Sequence, residues 1–156
     1  MSGPIVDVLL VGRHGPLMGY LARLLESDRA FCVREIVPSL ELARQAVASA
    51  GPAVVILDLD AMGSDWVKRV HAETSRPDAP IVVLISGCVS DTLIAAAFQA
   101  GADGVVDKCA LRERLLPALH EVLSGGSCFP GDVYGRVEIG PDGPRLLPTM
   151  AETFDG

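Results

Sequence analysis

The chain has 156 residues, enough for one domain, or one domain with a tail, that buries roughly 70% of the surface its unfolded form would expose. A hydrophobic share of 49% with only 4% aromatics describes a core of Val, Leu, Ile and Ala, the composition of helices packed on a parallel sheet. Thirteen basic against twenty acidic residues leave a net charge of −7, the wrong sign for counterion-release binding to nucleic acid or to an anionic membrane surface, so neither is expected as a direct partner.

In chain order, the apolar run 5–11 reads as a strand and 17–26 as a helix with Leu17, Leu21, Leu24 and Leu25 at helical spacing. The alternation repeats: strand 31–37, helix 40–50, strand 53–58, helix 65–74, strand 80–86, helix 91–100, strand 104–107, helix 111–124. Ser39, Ser64 and Ser90 stand where a side-chain oxygen would cap a helix, and Ala-Gly at 50–51 and at 100–101 supplies two stops. Pro117 is discordant, because inside a helix it removes a hydrogen bond; it predicts a last helix that begins near Leu116 or is kinked.

Five βα repeats imply right-handed crossovers and an α/β, flavodoxin-like, doubly wound sheet of five parallel strands in the order 2-1-3-4-5, with five helices. Arg34 and Glu35 suit the second strand to an edge. Residues 1–125 form this domain, and residues 126–156, of which ten are Gly or Pro, form a tail. Around Pro141-Asp142-Gly143 the tail is either a small hairpin or disordered. The N-terminus lacks the basic region and cleavage site of a signal peptide, and no apolar run has the length of a membrane span, so a cytoplasmic protein is expected. Cys32, Cys88, Cys109 and Cys128 show neither metal-site spacing nor a disulfide framework, although Cys88 and Cys109 fall in loops expected to neighbour each other.

Parallel strands point their carboxyl ends the same way. Gly12, Arg13 and His14 after the first, Asp58 after the third, Ser86 after the fourth and Lys108 after the fifth must therefore share one crevice. A carboxylate, a hydroxyl and an ammonium together make a phosphoryl-acceptor set, with Asp58 as the acceptor position and Ser86 and Lys108 as phosphate contacts. His14 has no second ligand in register and reads as a solvated or capping residue, and His120 beside Glu121 reads as a helix-face residue.

At these residues the chain resembles the receiver domains of two-component response regulators, above all those with a helix-turn-helix output domain. The carrying stretches are VLLVGRHGPLMGYLARLLE, PAVVILDLDAMGSDW, IVVLISGCVSDTLIAAAFQAGADGVVDK and LPALHEVLSGGS, colinear over the first 125 residues or so, with AGADG at 100–104 the most diagnostic. The resemblance implies phosphorylation of the strand-3 aspartate, Asp58, beside a Mg²⁺ ion held by an acidic pair after strand 1. It also implies an aromatic switch three residues before the lysine.

Two departures follow. Gly12 and Arg13 stand where the acidic pair is implied, and Val105 stands where the aromatic switch is implied. Mg²⁺ needs carboxylate oxygens, so no cofactor is expected. Asp60 and Asp107 are not expected to rebuild the site: the resemblance gives the residue two after the acceptor only a backbone role, and alternation turns Asp107 away from Lys108. The guanidinium of Arg13 is expected to pair with Asp58 in place of the metal, an attraction of about 4 kcal/mol at about 4 Å before desolvation. Trp66, where the resemblance has Gly, reads equally as packing or as a lid on the pocket.

The expected protein is a pseudo-receiver, not an enzyme, acting by protein–protein contact with little or no Mg²⁺-dependent phosphorylation. A homodimer through the fourth helix, fifth strand and fifth helix, carrying Leu93, Ile94 and Phe98, is the expected partner arrangement. The alternatives are a working phospho-acceptor modified at Asp58 by a histidine kinase, and a sensor binding a small acidic ligand on Arg13 and Lys108.

Overall fold

Side-chain alternation along each strand decides which helices cover which face of the sheet. The computed structural model describes residues 4–13, 15–50, 54–130, 137–141 and 143–146. The strands are β1 (Val6–Val11), β2 (Phe31–Val37), β3 (Val54–Asp58), β4 (Ile81–Ser86) and β5 (Gly104–Asp107), and the helices are α1 (Pro16–Glu26), α2 (Leu40–Ala50), α3 (Trp66–Thr74), α4 (Asp91–Gln99) and α5 (Leu111–Leu123). All five strands are parallel, in the order β2-β1-β3-β4-β5, so the flavodoxin-like arrangement expected from the repeats is the one observed.

Val8, Leu10, Val54, Ile56, Val83 and Ile85 pack with Met18, Leu21 and Leu25 of α1 and with Leu115 and Leu119 of α5. Their neighbours Leu9, Val11, Val55, Leu57, Val82 and Leu84 pack with residues of α2, α3 and α4. The three central strands are therefore apolar at both parities, and β2, with Arg34 and Glu35 exposed, takes one edge.

Two local expectations are corrected. Helix α5 starts at Leu111, as the 111–124 pattern has it and not near Leu116, with Pro117 inside it, because Leu111, Leu115, Ala118, Leu119 and Val122 form one buried stripe whose packing outweighs a single lost backbone bond. Ser64 is not a cap: α3 begins at Trp66 after a turn in which the Trp66 N–H reaches the Gly63 carbonyl, and no side chain caps it. Ser39 and Ser90 do accept N–H bonds, from Leu42 at 3.3 Å and Leu93 at 3.2 Å. The stop at Gly101 has φ +82°, whereas Gly51 and His14 lie outside the described residues.

Beyond α5 the chain turns at Gly125, with φ +95°, and comes back along the free edge of β5. The Cys128 carbonyl accepts from Val105 N–H at 2.9 Å, and Cys128 N–H donates to Asp103 at 3.0 Å. Phe129 is buried, with its ring stacked on Phe98 of α4 at 4.3 Å. Two further strands, β6 (Val137–Gly140) and β7 (Gly143–Leu146), pair antiparallel as a hairpin, and the backbone of β7 lies beside α4. Among the described residues no helix is long and apolar enough to cross a membrane.

Candidate functional site

The register of β1 on β3 places Val11 beside Leu57, which carries Gly12 next to Asp58. Asp58 closes β3 and is 7% exposed. Its Oδ1 accepts the Asp60 N–H at 3.0 Å, starting a tight turn over Leu59–Ala61. The same oxygen lies 2.8 Å from the Lys108 ammonium, which the turn after β5 delivers. Lys108 Nζ also reaches Asp60 Oδ2 at 2.7 Å, so one cation bridges two carboxylates.

Asp60 gathers more donors. Its Oδ2 accepts the Gly87 N–H at 2.9 Å, and its Oδ1 accepts the Ser86 hydroxyl at 3.4 Å. Ser86 is 1% exposed, and its oxygen accepts the Cys88 N–H at 3.1 Å, so the hydroxyl donates and accepts at once. The hydrogen bond from Lys108 holds the Asp60 carboxyl below its usual range, against partial desolvation and helped by Gly87. For Lys108, burial works against the charge, but the hydrogen bonds to Asp58 and Asp60 outweigh it and raise the ammonium above the ordinary lysine range.

Asp58, Ser86 and Lys108 thus converge as the parallel topology requires, but the expected Arg13–Asp58 pair is absent. Arg13 is exposed, and the pairs to Asp58 among the described residues come from Lys108 and the Asp60 backbone. A residue one step past a strand end is free to leave the crevice, and a guanidinium there is better hydrated outside than desolvated beside a carboxylate that Lys108 already partners. Asp60 is the residue that the sequence reading missed. The resemblance gives that position only a backbone role, yet the Asp60 side chain is the hub.

The residues present do not fit Mg²⁺. A Cβ added at Gly12 would stand 2.8 Å from Met18 Cε and 3.2 Å from Asp58 Cβ, so a second carboxylate there would need the thioether of α1 to shift. Met18 is 2% exposed and offers a soft sulfur, which a hard cation does not bind. Among the described residues no group of three or more His, Cys, Asp or Glu is arranged to hold a metal ion. Val105, at the position of the implied switch, is 2% exposed and packed in the core.

A small cleft opens beside Asp58, lined by Gly12, Pro38, Ser39, Met62 and Arg69 among others. Its cation is Arg69, already held by Glu41 and, at 3.9 Å, by Asp65. Trp66 packs against the core instead of lidding this cleft. All four cysteines are free. His120 lies 2.8 Å from Asp28 and against the Phe31 ring, a surface pair away from the crevice.

No family model matches the chain. It is 29% identical over 116 residues to a protein-glutamate methylesterase/protein-glutamine glutaminase of Cereibacter sphaeroides, a match covering 73% of this chain. The chain spans only 31% of the length of that relative. Among solved structures, the isolated receiver domain of RcsB from Salmonella enterica serovar Typhimurium superposes with a TM-score of 0.75 at 15% identity, covering 83% of this chain and 96% of that one. A LuxR-family two-component response regulator from an Aurantimonas species gives 0.75 at 21% identity, covering 84% and 94%. The chain has the receiver fold.

Proposed function

We propose that this chain is an atypical receiver module of a two-component-type signalling or transcription-regulating system. It works in the cytoplasm, carries out no catalysis of its own, and acts by protein–protein contact with little or no Mg²⁺-dependent phosphorylation. The observation that carries the reading is the Lys108 ammonium at 2.8 Å from Asp58 and 2.7 Å from Asp60, in a pocket where Met18 stands beside Gly12. The acceptor is present, but it already pairs with an internal cation, and Gly12 and Arg13 add no carboxylate to Asp58 at the metal seat. Loss of the aromatic rotor at Val105 removes the part that would transmit phosphorylation to the α4–β5 surface.

Phosphorylation of Asp58 by a histidine kinase is the second reading, favoured by the convergence of Asp58, Ser86 and Lys108. The sensor of an acidic ligand is less well supported, since Arg13 faces solvent and Arg69 is already paired.

The proposed docking surface is the α4–β5–α5 side, with a second copy of the chain as the partner. The chain's own tail lies over part of it, through Phe129 on Phe98 and β7 along α4, so a second copy has to displace the tail. Self-association is then weak until that happens.

Incubation with acetyl phosphate and Mg²⁺, followed by intact mass, tests the main reading. The expected spectrum is unchanged. A single added phosphoryl group that disappears in Asp58→Asn establishes the kinase-substrate reading in its place.

A further inference from the structure

We infer that the Asp60 carboxylate is an internal anion seated on the donors that would otherwise receive a phosphoryl group carried by Asp58. The inference rests on the receiver reading above for the meaning of those donors and deepens it. Three groups from two separate loops converge on this one side chain: Lys108 Nζ at 2.7 Å, the Gly87 N–H at 2.9 Å and the Ser86 hydroxyl at 3.4 Å. Ser86 and Lys108 are the phosphate contacts that the sequence resemblance assigns. Here they contact a carboxylate of the same chain.

The local backbone explains the placement. Asp58 Oδ1 takes the Asp60 N–H, which winds Leu59–Ala61 into one tight turn and swings the Asp60 side chain back across the end of β4. A shorter or apolar side chain at position 60 would leave a buried serine hydroxyl, an ammonium and a backbone N–H facing an open space. Such a set recruits an anion.

Charge decides the consequence. Asp58 and Asp60 share one cation, so the cluster keeps a net negative charge when both are ionised. An incoming phosphate would have to displace Asp60 while approaching Asp58, against repulsion from both carboxylates. The side chain of Asp60 is 45% exposed, so it can leave the seat without disturbing the core. The seat is therefore built and filled from within.

The test uses the full chain and inorganic phosphate, with sodium chloride at matched ionic strength as the control. The wild type is expected to show no rise in melting temperature beyond the salt control. Asp60→Ala and the near-isosteric Asp60→Asn are each expected to show a saturable rise of about 3 °C or more with phosphate well above its Kd. Adding Lys108→Met to either variant is expected to abolish it.

The same saturable rise in the wild type overturns the inference, as does its absence in a folded Asp60 variant, or its survival after Lys108→Met. Because Asp60→Asn keeps shape and an acceptor oxygen, it gives a result if Asp60→Ala fails to fold. Labelling of wild-type Asp58 by acetyl phosphate, with no response to inorganic phosphate, would end the docking reading and leave this one standing.

Discussion

The pocket at the end of β3 and the edge beyond β5 are both closed by the chain itself, and the two closures rest on different physics. At the pocket, one lysine and two aspartates do it, with Lys108 22% and Asp60 45% exposed, so the closure is electrostatic, screened by salt and reversible at low cost. At the edge, Phe129 is 7% exposed and stacked on Phe98, and Cys128 pairs with the backbone of β5. That closure is apolar and indifferent to pH, and opening it means breaking packing. The pocket is thus the softer of the two, and the edge the more costly to open.

The largest effect is expected at the edge. Phe129→Ala should destabilise the chain by about 3 kcal/mol in urea unfolding, expose α4 and β5 to hydrogen exchange, and promote self-association. Unchanged exchange in α4 would show that the tail is not a cover. In the pocket, Gly12→Asp should cost about 2 kcal/mol, since the new Cβ meets Met18 and the new charge meets Asp58. Combining it with Met18→Ala should restore stability in the presence of Mg²⁺, measured as a shift of the urea midpoint on adding the ion.

Lys108→Met comes next. A fully buried pair would lose about 3–5 kcal/mol, but the exposure of Lys108 and Asp60 reduces the expected loss to about 1–2 kcal/mol at neutral pH. The pH profile sharpens the contrast. Asp60 titrates below its ordinary value of 3.8 in the fold, so its contribution is present above that pH and is lost as pH falls through the depressed value. Lys108 is raised above 10.5, so its contribution is present below that pH and is lost as pH rises through the raised value. Asp60→Asn should flatten the acid limb, whereas Phe129→Ala should lower the whole profile without changing its shape.

The smallest effect is expected at Arg13. Arg13→Ala should change stability by no more than about 0.5 kcal/mol, because the side chain is exposed and lacks a pair with Asp58. A larger loss in urea unfolding would reopen the pairing that the sequence suggested.

Several features legible in the sequence have plain structural reasons. In AGADG, Ala100 and Ala102 are buried, and Gly101 takes φ +82° with Thr74 Oγ1 only 2.6 Å from where a Cβ would be. Asp103 accepts the Val82 N–H at 2.9 Å, and Gly104 leaves room for the Cys128 carbonyl. The left-handed turn at Gly101 is a local need and the Asp103–Val82 bond joins neighbouring strand ends, whereas Thr74 and Cys128 are brought to the motif by the tertiary fold. Met18 gave no such signal. At helical spacing it looks like any core residue, and its contact with Gly12 depends on how α1 settles on the sheet.

Periodicity, caps and β-branched runs determined the strands, the helices and the convergence of Asp58, Ser86 and Lys108, because these follow from short-range patterns and from parallel strands sharing a direction. Only the tertiary structure decided which cation meets Asp58, which carboxylate takes the waiting donors, and what lies over α4. Those outcomes depend on the direction of side chains leaving strand ends and on contacts between residues far apart in the chain, such as Asp60 with Lys108 and Phe98 with Phe129. No pattern of spacing encodes such directions.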